Sequence, residues 1–491
     1  MARARKAPTP TTPLEPLVPY DWQQADVDKC ARLMSNEVGA LVASSPGAGK
    51  TLVATEIAKK LGAKTILVIA PLGTHSGAWG KTVQRQGLNT AGIRILKGDK
   101  KGKAAFADLR WGREGVYVTT RQWFALQRWD GIEPDMVIFD EIHEAGSYGI
   151  ATSRALIGNN KRPGLHSKYR LGLSGTPLRN KFENAWSLIR WIEPDKMPLD
   201  YYIWRMTKCA LKRDPFAPQG FRVVGERNPG ELFNSLTCYI QHLQREKCCD
   251  FHPFGFLAGL PAPVEIDRVT EMSPDQKRFY KSIEAAVAAS LISTEGNEVK
   301  VHTEHLIVAR GMLRAGALAL PSVDEETGKL TFESDADSPK LDALIEDLPS
   351  YEGRHTLVLT HSKRFAKIAV DRLIAAGYTC EGWHGDISKT QRDKTLAAFT
   401  SGELEIIVGV ISAMGTGTDG LQEVCWNVSW MSLDDDPTNN VQGIGRLDRL
   451  GQNKQVVTRR YLSNGSIDVG MYPKQVEAIM KLSESLRKAT A

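Results

Sequence analysis

The chain has 491 residues, of which 42% are hydrophobic and 24% charged. That is ordinary globular composition, and it excludes wholesale disorder, collagen and coiled coil. Its length fits about three domains, and no run of about 20 apolar residues offers a membrane-spanning helix. Sixty-three Lys and Arg against 57 Asp and Glu leave a net charge of +6, which permits a nucleic-acid partner without establishing one. Seven cysteines are too few for a disulfide scaffold and point to a reducing compartment.

Residues 1–16 are basic and rich in Pro and Thr, and they lack the apolar core of a signal peptide. They read as a disordered tail. Apolar, β-branched runs then alternate with helical patterns in two sets, the pattern of parallel sheets with crossover helices. The first set is Gly39–Ser44, Thr65–Ala70, Gly115–Thr120, Asp135–Asp140 and Tyr169–Ser174. The second is His355–Thr360, Tyr378–Trp383, Glu405–Ser412, Asn427–Ser432 and Val456–Leu462. The expected fold is α/β, with a first lobe over 17–194 and a second over 339–465. A mostly helical insertion and linker over 195–338 separates them, and a C-terminal helical segment spans 466–491.

The first run leads directly into Ser-Ser-Pro-Gly-Ala-Gly-Lys-Thr, and a helical pattern follows. Gly47 and Gly49 let successive backbone N–H groups turn toward one anion, and the helix N-terminus adds its dipole. In this loop Pro46, Gly47, Ala48 and Gly49 form the cradle. Lys50 is placed to reach the β- and γ-phosphates, and Thr51 to ligate Mg²⁺. The first glycine usual in such loops is Ser44 here, but the Gly-Lys-Thr end is intact. The position between a strand and a helix favours nucleotide binding over an ordinary glycine-rich turn.

Asp140 and Glu141 end an apolar strand. Two adjacent carboxylates there are costly unless a cation neutralises them. Asp140 suits a water-mediated Mg²⁺ contact, and Glu141 suits polarising a water at the γ-phosphate. His143 is expected to couple this segment to the second lobe. A solvated acidic turn is the competing reading.

Gly-Ala-Gly-Lys-Thr, Asp140–His143 and Leu173–Asn180 occur in the order seen in superfamily-two helicase-like ATPases, which the chain resembles. Ala70–Trp79, Leu173–Pro194 and Gln442–Gln452 resemble the Swi/Snf branch in particular, as does the Gln-Arg-Glu-Lys segment followed by Leu-Pro. The resemblance covers about Leu17 to Leu462 and implies two tandem RecA-like P-loop lobes. It also implies an ATP-dependent DNA motor that hydrolyses ATP with Mg²⁺ and moves on duplex DNA along one strand. Two positions depart from the pattern: Ile142 stands where Ala is usual, and Asp448 where His is usual. The compactness of the chain suggests a bacterial or phage motor, working in a bacterial or phage-infected cytoplasm, with a recruiting protein partner possible and no membrane association.

The motifs also have physical readings. The Gln23 amide offers a donor and an acceptor suited to an adenine edge, against the alternative of a surface polar residue. Arg446 and Arg449 are three apart, so on a helix they share a face and could neutralise charge on the γ-phosphoryl. Gly417 allows close backbone approach, and Asp419 is a candidate for ribose. A tracking motor holds phosphates without reading bases. Candidates at strand ends are Thr74, His75, Thr119, Thr120 and Arg121 in the first lobe, and Thr360, His361, Ser362 and Lys363 in the second. Basic stretches at Lys97–Arg113 and Arg205–Arg227 add to them, with Trp111 and Trp204 able to stack on bases or to pack inside. Cys238, Cys248, Cys249 and His252 lack a zinc spacing, so free thiols are preferred. A strand-separating helicase on branched DNA or RNA is the first alternative function, and a non-translocating ATP-dependent clamp or loader is the second.

Overall fold

The structure, a computed structural model, describes residues 15–473 apart from 90–91, 147, 160–161, 179–181, 199, 215–216, 247–250, 253, 293–302, 325–329, 415–419 and 472. The described residues form two compact units divided after His242, except that Pro46–Ala48 group with the second. Among them no helix is long and apolar enough to cross a membrane.

The first unit is built on β1 (Ala40–Val42), β2 (Thr65–Ile69), β3 (Ile93–Leu96), β4 (Gly115–Thr119), β5 (Met136–Asp140) and β6 (Tyr169–Leu173). A separate hairpin, β7 (Cys209–Arg213) and β8 (Phe221–Glu226), precedes a short last strand, β9 (Tyr239–Ile240). The main sheet has seven strands in the order β9-β1-β6-β5-β2-β4-β3, and every pairing is parallel. Helices cover a parallel sheet on both faces, so its strands read as continuous apolar runs. All five residues of β2 and of β4 are buried accordingly. Helices α1 (Asp21–Met34) and α2 (Lys50–Lys60) bring Val27, Cys30, Met34, Val53 and Ile57 to the core they share with β1 and β2. In register, Asp140 lies beside Leu173 and Ile69 beside Thr119. The carboxyl ends of β2, β4, β5 and β6 therefore line one edge, where open α/β sheets hold their ligands.

Helix α3 (Tyr201–Lys208) feeds the hairpin. In the second unit the strands are β10 (Val264–Thr270), β11 (Thr356–Thr360), β12 (Cys380–Trp383), β13 (Ile406–Val410), β14 (Asn427–Trp430) and β15 (Val457–Ser463). They form a six-stranded sheet, again all parallel, in the order β10-β15-β14-β11-β13-β12. Helices α4 (Pro274–Ile292) and α5 (Thr303–Leu318) pack on each other, with the buried Gln276 Nε2 donating to Gly316 O at 2.7 Å. The fully buried Lys340, on α6 (Pro339–Asp347), pairs with Asp468 and donates to Met431 O at 3.0 Å.

The insertion is more mixed than the sequence suggests. It contains the β7–β8 hairpin, and it lends β9 to the first sheet and β10 to the second. Neither strand has the apolar signature: β9 pairs over two residues, and β10 is an exposed edge strand whose Glu265 and Asp267 pair with Arg460 at 2.8 and 2.5 Å. Most of the C-terminal helical segment lies outside the described residues, as does the N-terminal tail up to residue 14.

Candidate active site

The phosphate loop follows β1, and the Ser44 hydroxyl fixes its start by accepting from His242 N at 3.2 Å. Gly47 and Gly49 have φ of 85° and 75°, a region in which a side chain would be strained. Lys50 opens α2, and its ammonium donates to Ser44 O at 2.8 Å and Ser45 O at 3.3 Å. The cation is thereby held over the loop's own carbonyls. Thr51 stands in the first turn beside it. Gln23 is buried, and its amide oxygen accepts from Tyr20 N at 2.9 Å. Its Nε2 abuts the loop so closely that a Cβ on Gly49 would come within 2.4 Å of it. The structure thus brings Gln23 to the P-loop and places it off the general surface. Trp22 packs on His242 with ring centroids 4.6 Å apart, and His242 Nε2 lies 2.8 Å from Asp26.

At the end of β5 the Asp140 carboxylate is half-buried and accepts from Trp79 Nε1 at 2.9 Å. Burial, with the Glu141 charge adding to it, pushes Asp140 up to about 6, against the pull of the Trp79 bond and Lys50. Trp79 ends a π-helical turn, His75–Trp79, that follows the Pro71 bend. The sequence reading contained this tryptophan within a motif and assigned it no role. Glu141 has φ 54° and ψ 52°, a left-handed conformation that is unusual and costly for a residue other than glycine. Its Oε2 lies 3.3 Å from His143 Nδ1, and the same ring nitrogen lies 2.9 Å from Ser174 Oγ. Ser174 Oγ also accepts from Thr176 N at 3.1 Å. These contacts connect Glu141 to the segment after β6, all inside the first unit.

The arrangement suits Mg²⁺ and a nucleoside triphosphate. A glycine-lined loop, a lysine folded over it and two adjacent half-buried carboxylates are a donor set that a divalent cation and phosphates would complete.

In the second unit α7 (Pro437–Ile444) ends before the arginines. Arg446 and Arg449 are therefore not on a helix face, which corrects the expectation. The helix ends with Gly445 as its C-cap, and the backbone continues in tight turns: Arg446 N donates to Gly443 O, Leu447 N to Ile444 O, and Gln452 N to Arg449 O. Between the arginines, Asp448 is buried and takes both Nη atoms of Arg245, at 2.6 and 2.5 Å. Gln244 Nε2 donates to Asp448 O at 2.9 Å. The departure from His at 448 thus has a partner, and Arg245 is a functional candidate that the sequence reading missed. Gln452 Nε2 donates to Cys425 O at 2.9 Å and secures the far end of the segment. Gly417 and Asp419 lie outside the described residues.

The nucleic-acid candidates divide by exposure. His75, Thr119 and Thr360 are buried. His75 Nε2 lies 3.0 Å from Ala70 O, Thr119 Oγ1 donates to Leu96 O at 3.4 Å, and Thr360 Oγ1 lies 3.1 Å from Ser432 Oγ. Their side chains bond within the lobes' interiors, which leaves their backbone groups as the candidates for phosphate contact. His361 Nδ1 lies 2.6 Å from the same serine, and burial pushes its imidazole down to about 3. Thr120 and Ser362 cap helices by accepting from Trp123 N and Phe365 N. Thr74 donates to Pro71 O at 2.8 Å, and Arg121 pairs with Glu144 at 2.9 Å. Lys363 is exposed and pairs with Asp386. Trp204 is fully buried and so unavailable for stacking, whereas Trp111 is 80% exposed. Of the zinc candidates, Cys238 is buried with its Sγ 3.6 Å from that of Cys30, and Cys248 and Cys249 lie outside the described residues. No metal-ligand cluster occurs among the described residues.

Comparison with known proteins agrees with this architecture. Residues 22–315 match the SNF2-related domain, and residues 339–451 match the helicase conserved C-terminal domain. A probable chromatin-remodeling complex ATPase chain of Oryza sativa subsp. japonica is 24% identical over 91% of this chain and 39% of its own length. DNA repair and recombination protein RAD54B of Homo sapiens is 22% identical over 90% of this chain and 51% of its own length. The chain thus spans about half or less of these relatives. The fold is similar to the Pyrococcus furiosus Hef helicase domain, with a TM-score of 0.52 and 15% identity over 93% of this chain and 98% of that one. The relatives are eukaryotic proteins named for chromatin remodeling and DNA repair, so the expected bacterial or phage-infected cytoplasm is overturned. With both domain matches in order along 22–451, the chain belongs to the SNF2-related family, and its two-domain core is that of an ATP-hydrolysing, helicase-like enzyme.

Proposed function

We propose that the chain couples ATP hydrolysis to translocation on duplex DNA and so remodels DNA or protein–DNA structures. The observation that supports this reading is the contact series from Glu141 through His143 to Ser174, which joins the strand-end carboxylate to the Leu173–Asn180 segment. A protein that only clamps in response to ATP needs no such carboxylate. In this reading Gly47, Gly49 and Lys50 hold the phosphates, Gln23 meets the adenine, and Thr51 and Asp140 hold Mg²⁺. When bound, Mg²⁺ neutralises charge on the β- and γ-phosphate oxygens. Glu141 orients the attacking water, and His143 fixes the Glu141 carboxylate. Arg446 and Arg449 stabilise the transferring phosphoryl, an effect worth about 10³–10⁵ in rate for an arginine finger. Gly417 and Asp419 complete the nucleotide contacts. The relatives' names, in chromatin remodeling and DNA repair, support a DNA substrate.

The test is ATP turnover measured with blunt duplex, single-stranded and forked DNA and with RNA, beside displacement of a triplex-forming strand. Duplex DNA should stimulate turnover at least as well as single strands, and the third strand should be displaced. Efficient unwinding of a tailed duplex without stimulation by blunt duplex would replace this reading with a strand-separating helicase. ATP binding without turnover on any nucleic acid would replace it with a clamp.

A further inference from the structure

The β7–β8 hairpin belongs to neither large sheet; its strands pair only with each other. Its register sets Lys212 opposite Arg222 and Arg213 opposite Phe221. Residues directly opposite in an antiparallel pair share a face, so two cations stand side by side on one face of the ribbon. Like charges in that position destabilise a hairpin, and an anion lying across them removes the penalty.

The local carboxylates do not meet this need. Between Lys208 and Arg227 there are five cations and two carboxylates. Glu226 is buried and accepts from Gly230 N at 2.8 Å and Leu232 N at 2.7 Å. Asp214 lies 4.0 Å from Arg222 Nε, at the limit of ion pairing. Among the described residues no ion pair involves Lys212 or Arg213, and both are exposed.

The ribbon is also firmly mounted. The buried Arg205 donates to Gln219 Oε1 at 2.9 Å and to Phe221 O at 2.5 Å, and Arg227 donates to Met206 O at 2.7 Å. Its foot, α3, rests on the segment that follows Asp140: Tyr201 stacks on Tyr148 with centroids 4.7 Å apart. Glu144, in that same segment, pairs with Arg121, which opens the helix after β4 at the carboxyl edge of the sheet. The hairpin is thus anchored where the first lobe presents its other candidate phosphate contacts.

We infer that the Lys212–Arg222 face of this hairpin is a nucleic-acid backbone grip, a phosphate-binding ribbon that adds sequence-independent contacts to the first lobe. The inference rests on the proposed DNA substrate, and it concerns one named surface. Its occupant is the phosphodiester backbone of duplex DNA, recognised by two closely spaced cations.

The test uses the charge reversal Lys212→Glu in the full chain. The new carboxylate would face Arg222 and form a cross-strand ion pair, so thermal stability should hold or rise. DNA affinity should nevertheless fall, and the slope of log affinity against log salt should decrease by about one for each lost phosphate contact. Lys212→Ala should lower the slope by about one without the ion pair. ATP turnover without DNA should stay at the wild-type level in both. Wild-type affinity and salt slope in Lys212→Glu, in a protein that binds duplex DNA, would overturn the inference and leave the proposed function standing. Failure of the unmodified protein to bind any DNA would remove the proposed function itself, and the grip with it.

Discussion

Replacing Trp79 with Phe removes one N–H and little else from the environment of Asp140. The lost bond, 2.9 Å long, ends on a half-buried carboxylate that its surroundings desolvate. A hydrogen bond to a charged group is worth about 1.5–3 kcal/mol, and removing the donor leaves the oxygen desolvated and unsatisfied. At about 1.4 kcal/mol per tenfold, that corresponds to a loss of about 10- to 100-fold in activity or Mg²⁺ affinity, the range seen when outer-shell partners of metal ligands are mutated. The assay is ATP turnover at saturating nucleotide as a function of Mg²⁺. The half-saturating Mg²⁺ concentration should rise, or kcat fall, by that factor. Trp79 is only 1% exposed, so the smaller ring also leaves a void, and some loss of Tm is expected. Val83→Ala supplies the control, because Val83 is equally buried in the next helix and bonds nothing at the site. It should lower Tm while leaving the Mg²⁺ dependence intact. Wild-type Mg²⁺ dependence and kcat in Trp79→Phe would refute the positioning role, as would the same defect in Val83→Ala.

Lys50→Ala and Glu141→Gln should both abolish ATP turnover, and Glu141→Gln should still bind ATP in an equilibrium assay; turnover in Glu141→Gln would remove it as the water-orienting group. Arg449→Ala should lower kcat far more than ATP affinity, because the charge it meets appears in the transition state; weakened binding with normal kcat would make it a ground-state contact. Lys340→Ala should cost about 3–5 kcal/mol in denaturant unfolding, because it leaves Asp468 buried without its cation; a change below about 1 kcal/mol would show that water or another cation takes its place.

The ten apolar strands and the P-loop were legible because their signals are local: β-branched runs, and glycines that the loop geometry requires. The placement of Asp140 and Glu141 at a strand end was legible for the same reason, since they end such a run. What escaped the sequence depends on partners distant along the chain. Trp79 is 61 residues from Asp140, and Arg245 is 203 from Asp448. No periodicity relates such positions, although the unusual Asp at 448 was a signal that a cation should be sought. Three-residue spacing suits a helix, whereas the helix before the arginine pair ends at Ile444, short of both. The proximity of the strand-end threonines and histidines to the edge says nothing of which way a side chain turns. Thr119 and Thr360 turn inward and bond within their own lobes.

The left-handed backbone of Glu141 has a consequence for anyone improving this protein by selection. Glycine or asparagine tolerates that basin better than glutamate, and relief of such strain is worth about 1 kcal/mol. A library screened only for heat resistance would therefore enrich Glu141→Gly and Glu141→Asn. These variants would outlast the parent in a melting assay while having lost the carboxylate proposed to orient the attacking water. Durability and activity are set against each other at this single residue, so a thermal screen of this chain needs an ATP-turnover step beside it.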